Sequence, residues 1–149
     1  MSHTVRFDQH LTTSLSASRV WHLLDDAFRD SEGSPLWPGE LERIISEGLK
    51  EGGRVRVIYR LLGAREYQYV LSEVVQGERF TYRPVAGHPM EGEVQVSLVE
   101  EESGTIIRWQ GVYRTDSLLT KLYTRYFVYR FFRALKENLD RLAAVTVRA

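Results

Sequence analysis

At 149 residues the chain has the size of one ordinary domain, and a single domain over 1–149 is expected. The absence of cysteine excludes a disulfide scaffold, a thiol nucleophile, an iron–sulfur cluster and a cysteine zinc site together. Twenty basic and twenty acidic side chains cancel, so nothing in the overall charge draws the chain to nucleic acid or an acidic membrane, and 43% hydrophobic with 11% aromatic content is globular.

No apolar run approaches the roughly 18 residues of a membrane span, and Met1 to Asp8 lacks the basic and then apolar run of a secretory signal. A soluble, cytoplasmic protein without membrane insertion is expected. The first strand reads from Thr4 to Leu11, with Val5, Phe7, Gln9 and Leu11 in alternation. Ser16 then caps a helix whose Val20, Leu24, Ala27 and Phe28 recur at helical spacing. Turn chemistry in Ser31-Glu32-Gly33-Ser34-Pro35 stops it by Asp30. Leu36-Trp37-Pro38-Gly39 reads as a single turn or bend.

From Leu41 to Arg114 short alternating runs separated by turn residues predict an antiparallel meander, with strands near 41–47, 54–62, 65–75, 78–84, 92–101 and 105–114. A two-residue loop at Ser103-Gly104 sets Leu98 opposite Trp109, Val96 opposite Gly111 and Val94 opposite Tyr113, all on one face. The same loop at Gly63-Ala64 sets Tyr59 opposite Gln68 and Leu61 opposite Glu66, on a face shared with Val55, Val57 and Val70. At Gln76-Gly77 a two-residue loop aligns Phe80 with Glu73 and a three-residue loop aligns it with Val74; both registers stay open. Asp116 can cap the last element, a helix from Ser117 to about Ala144.

This order of elements resembles the helix-grip fold of the START/birch-pollen-allergen superfamily, and more narrowly the SRPBCC group of polyketide cyclase/dehydrase-like and lipid-transport-like proteins. The resemblance covers about Val5 to Leu142. It is carried by Ser16-Ala17-Ser18-Arg19-Val20-Trp21, by Leu36-Trp37-Pro38-Gly39, by Val70-Leu71-Ser72-Glu73-Val74 with Gln76-Gly77-Glu78-Arg79-Phe80-Thr81-Tyr82, and by Trp109 with Gly111 before the terminal helix. Relatives often carry prolines where this chain has Gln76-Gly77. The resemblance implies an α+β protein in which a curved, seven-stranded antiparallel sheet wraps a long C-terminal helix. It also implies a cavity between them for an apolar or amphipathic ligand.

Recognisable catalytic motifs are missing. His3, His10, His22 and His88 have no metal-site spacing and read as solvent residues, so neither metal nor cofactor is expected. No nucleophile elbow, phosphate-binding loop or dinucleotide fingerprint occurs. The terminal helix intersperses cations with aromatics, but they spread around its whole circumference, which argues against nucleic acid. Its apolar stripe Val128, Phe132, Leu135, Leu139 and Leu142 should pack on the sheet. Extended upward, that stripe meets Arg125, Thr124, Lys121 and Leu118; either these cations turn toward a ligand's polar group, or the helix rotates or frays and they snorkel to solvent. The other side carries Leu119, Tyr123, Tyr126 and Phe127, a patch suited to a homodimer contact.

The expected ligand-binding residues are therefore the inward aromatics Tyr59, Phe80, Tyr82, Trp109 and Tyr113, with Trp37 at the mouth. Gln68 joins them from the sheet, and Lys121, Arg125 and Tyr129 from the helix. The leading expectation is binding of an apolar or amphipathic small molecule. A cyclase/dehydratase-like enzyme is the alternative, with Glu66, Tyr59, Tyr113 and Arg125 as catalytic candidates. A co-chaperone-like module acting through the helix patch is the third.

Overall fold

The computed structural model describes residues 2–60 and 65–148, with side chains to 145. Strand β1 (His3–Thr13) leads into α1 (Ala17–Arg29), whose first turn is capped by Ser16, the hydroxyl accepting from Arg19 N at 3.1 Å. A bend through Leu36-Trp37-Pro38 follows. Then come β2 (Glu42–Ile45), β3 (Arg54–Tyr59), β4 (Arg65–Val75), β5 (Arg79–Pro84), β6 (Glu91–Glu101), β7 (Gly104–Thr115) and α2 (Leu118–Arg148). All strands pair antiparallel in one curled sheet of order β1-β7-β6-β5-β4-β3-β2, in which β1 extends the meander beyond β7 and β2 forms the opposite edge. Ser117, not Asp116, caps α2: its hydroxyl accepts from Thr120 N at 3.1 Å.

The hairpins decide which side chains face inward. β6 and β7 turn through Glu102-Ser103, so Val96 opposes Trp109 and Val94 opposes Gly111. That register differs from the expected one by two residues. Side chains alternate with period two, so an even slip leaves every face unchanged. Trp109, Tyr113, Val94 and Val96 are accordingly buried on the concave side. Gly111 is required there: a Cβ would meet the Phe7 ring at 2.5 Å and Val94 at 3.0 Å.

The β3–β4 hairpin slips by three. Tyr59 opposes Arg65, Ile58 opposes Glu66 and Arg56 opposes Gln68. An odd slip exchanges the faces, so Tyr67 and Tyr69 turn inward, while Glu66 and Gln68 turn out and are exposed. Glu66 takes both Arg56 Nε at 3.0 Å and Nη2 at 2.6 Å on the outer surface. It does not line the cavity between the sheet and α2. Leu61 and the Gly63-Ala64 turn lie outside the described residues.

Between β4 and β5 both anticipated registers coexist. Val75 opposes Arg79 across a three-residue loop, yet Ser72 opposes Thr81 in the two-residue register. A bulge at Glu73 and Val74 absorbs the difference, with Glu73 at φ 53°. Beyond it Leu71, Tyr82 and Tyr69 face inward together.

The long helix is rotated from its expected setting. Phe132 flanks the inward stripe, which is centred near Phe131, Leu135 and Thr124. At about 100° per residue, Arg125 lies roughly 120° from Phe131 and Tyr129 still farther. Arg125 is exposed, Tyr129 is 62% exposed, and Lys121 is half-buried beside the stripe. Tyr123 and Phe127 turn inward, so the four residues of the expected dimer patch do not share an outward side; of them Leu119 and Tyr126 are exposed. The lower half packs as the apolar spacing predicts, and Asn138 Nδ2 donates to Leu36 O at 2.9 Å, fixing the bend against the helix.

Candidate functional site

Between the concave sheet and the upper half of α2 lies a cavity of about 320 Å³, within the size range of small-molecule sites. Its floor is aromatic. Phe28 meets Trp37 edge to face at 5.4 Å, Trp37 meets Phe131 at 5.2 Å, and Trp109 meets Phe132 at 5.6 Å. Phe80, expected on the wall, is fully buried below it between Trp21 and Phe28, and so is core. Tyr59, Tyr82, Trp109 and Tyr113 line the cavity, and so does Trp37, which is buried in the floor among Phe28, Trp109 and Phe131 and not at the expected mouth. Gln68, Lys121, Arg125 and Tyr129 do not line it.

Residues unanticipated at this site complete it. Tyr67 and Tyr69 enter through the register slip, His88 through the β5–β6 loop, and Glu42 through β2. Tyr123 and Phe127 close the helix side, with Phe127 edge to face against Tyr59 at 5.2 Å. The signal for Glu42 was available in the sequence: it stands two residues before Ile44, hence on the same face of a short strand. His88, expected in solvent, packs on Tyr67 with ring centroids 4.5 Å apart.

The hydroxyls are ordered. Met90 N donates to His88 Nδ1 at 3.0 Å, and a backbone amide can only donate, so Nδ1 carries no proton. The neutral ring then holds its proton on Nε2, which donates to Tyr69 Oη at 2.9 Å. The Tyr69 hydroxyl shares a further hydrogen bond with that of Tyr59 and also meets the hydroxyl of Tyr113. Trp109 Nε1 donates to Tyr82 Oη at 3.1 Å, leaving that hydroxyl proton available. The wall thus presents phenols from β3 and β5, backed by His88 and Trp109.

Burial sets the protonation states. It pushes the phenols of Tyr59, Tyr69, Tyr82 and Tyr113 above their ordinary range, so all four stay neutral. It lowers His88 to about 4, and the Met90 amide donating to Nδ1 favours the same neutral form. Glu42 is raised to about 8 by burial. Trp37 is the group that favours its ionised form, and does so weakly, since Nε1 completes no hydrogen bond of normal geometry. No group of three or more metal-ligating side chains occurs among the described residues, and no helix there is long and apolar enough to cross a membrane.

A curled antiparallel sheet gripping a long terminal helix over an aromatic cavity defines the START/birch-pollen-allergen class of proteins. Within it, the chain belongs to the family described as polyketide cyclase/dehydrase and lipid transport, whose model matches residues 4–146. Solved structures agree in fold. The di-domain aromatase/cyclase StfQ of the steffimycin biosynthetic pathway is similar at TM-score 0.73 and 10% identity over 98% of this chain; this chain spans 52% of that one. A norcoclaurine synthase point mutant of Thalictrum flavum, in complex with a transition-state analogue, is similar at TM-score 0.68 and 15% identity over 98% of each chain. A protein of Nitrosomonas europaea is similar at TM-score 0.66 and 14% identity over 97% of each. No curated protein matches the sequence. The family points to ligand binding or cyclase-like chemistry in the cavity.

Proposed function

We propose that the protein binds one flat, largely apolar small molecule in this cavity, oriented by the phenols of Tyr59 and Tyr82. The observation that carries the reading is the space of about 320 Å³, bounded by rings from several strands and α2 and lined by hydrogen-bonded phenols. Apolar walls supply affinity through burial, and a few fixed polar groups set orientation. The cationic handle expected from Arg125 and Lys121 plays no part, because neither lines the space.

The test is titration with the uncharged fluorophore 1-N-phenylnaphthylamine. One equivalent should bind with a blue shift. Val57→Trp, which fills the cavity from the middle of β3, should weaken binding about tenfold or more. Absence of binding to the folded wild type would sink the proposal.

A second reading, catalysis in the same cavity, is favoured by Glu42. Its carboxyl is enclosed and titrates near 8, suited to general acid–base work at neutral pH. It replaces Glu66 as the acid/base candidate, with Tyr59 positioned to polarise a carbonyl.

A further inference from the structure

Among the described residues the cavity lining holds one buried carboxyl, Glu42, and one cation, Arg65, which is exposed. Glu42 is 6% exposed, faces the cavity from β2, and forms no ion pair among the described residues. Arg65 of β4 lines the mouth and is exposed; its field acts on Tyr123 and is not among the influences on Glu42. His88, from the β5–β6 loop, is neutral. The other titratable groups in the field of Glu42 are phenols: Tyr59 on β3, Tyr69 on β4, Tyr82 on β5, Tyr113 on β7 and Tyr123 on α2. An isolated carboxylate in such surroundings is costly, and Arg65 makes no ion pair with it. A ligand can supply the counter-ion.

Resting on the ligand-binding reading above, we propose that the cavity selects protonated amines carried on an aromatic or other flat apolar body, with Glu42 as the counter-ion. An ammonium donates charge-assisted hydrogen bonds to a carboxylate, and the faces of Tyr and Trp rings attract the same cation. Trp37 Nε1, buried and without a partner, stands ready to hold one oxygen of the ionised carboxylate while the other takes the amine. A ligand carboxylate would meet like charge at the same place.

The protonation balance is definite. In the empty protein Glu42 keeps its proton up to about pH 8. Binding an ammonium ionises it, so each amine taken up at lower pH releases one proton to solvent. A primary alkyl amine stays charged to roughly pH 10. Its affinity should therefore rise about tenfold per pH unit from 6 toward 8 and then level off.

Calorimetry on the whole chain with three probes on one ring system tests this: 2-(2-naphthyl)ethylamine, 2-(2-naphthyl)ethanol and 3-(2-naphthyl)propanoate. At pH 7 the amine should bind about tenfold or more tighter than the alcohol, with the carboxylate weakest and proton release visible in buffers of different ionisation enthalpy. Glu42→Gln should abolish the amine's advantage and its pH slope while holding the alcohol within about threefold. An amine no tighter than the alcohol, a pH-independent amine affinity, or a carboxylate that binds tightest through Arg65 would each overturn charge selection and leave the cavity reading intact. Binding of none of the three would overturn both. The pH slope of the wild type decides the matter even where the variant fails to fold.

Discussion

The same concave face is used in two ways. At its closed end Trp21, Phe28 and Phe80 interlock ring against ring, and Leu24, Leu135 and Leu139 leave essentially no exposed surface. Toward the N-terminus of α2 the rings become phenols, the packing opens to about 320 Å³, and a carboxyl is left enclosed without a counter-ion. Close packing at one end stabilises the grip, so the other end can hold polar groups in costly surroundings. Stability should reside below the bend and recognition above it.

The sharpest contrast is in response to pH. Glu42 is raised from 4.5 to about 8 in the folded protein, so between those values the native state binds more protons than the unfolded chain, and stability falls as pH rises. Glu42→Gln should match the wild type near pH 4.5 and exceed it by on the order of 4–5 kcal/mol at pH 8. Urea melts at the two pH values measure this; equal gains at both would mean that Glu42 is not the titrating group.

At the closed end Phe80→Ala should cost roughly 3–5 kcal/mol at any pH, because it removes a fully buried ring between two others. A loss below about 1 kcal/mol by chemical denaturation would show that this end is not the tightly packed one. Ligand affinity, measured with 1-N-phenylnaphthylamine under folding conditions, should change less than for Val57→Trp.

The hydroxyl network gives a finer comparison within the open end. Tyr69 serves His88, Tyr59 and Tyr113, whereas Tyr59 stands at one end of the network. Tyr69→Phe should therefore cost roughly 2 kcal/mol, by stranding the His88 N–H, and Tyr59→Phe about 1 kcal/mol. The reverse order would contradict the central place of Tyr69 in the network. Smallest of all is Arg125→Met. An exposed guanidinium with no ion pair among the described residues should shift stability by no more than about 0.5 kcal/mol. Probe affinity should be unchanged; a tenfold loss would return Arg125 to the site.

Much of the architecture was legible in local pattern. Alternation defined the meander, helical spacing defined α1 and the lower half of α2, and the Ser16 cap and the stop at Asp30 lie where turn chemistry places them. The inward set Trp109, Tyr113, Val94 and Val96 survived a wrong partner assignment, because the β6–β7 slip is even. Each of these is decided by contacts within a few residues along the chain, or by a period that tolerates the error.

The site depended on what sequence spacing does not contain. Whether Glu66 or Tyr67 faces the cavity turns on one odd slip in a hairpin. Whether Arg125 or Phe127 faces it turns on how far the helix rotates to seat Phe131 between Trp37 and Trp109. Both are settled by packing across the whole interior, where large rings from distant segments compete for the same space. The sequence by itself determined the elements, their order and the aromatic character of the concave face. Only the tertiary structure decided that the enclosed charge is the carboxyl of Glu42, because burial and the absence of a counter-ion are properties of the assembled wall.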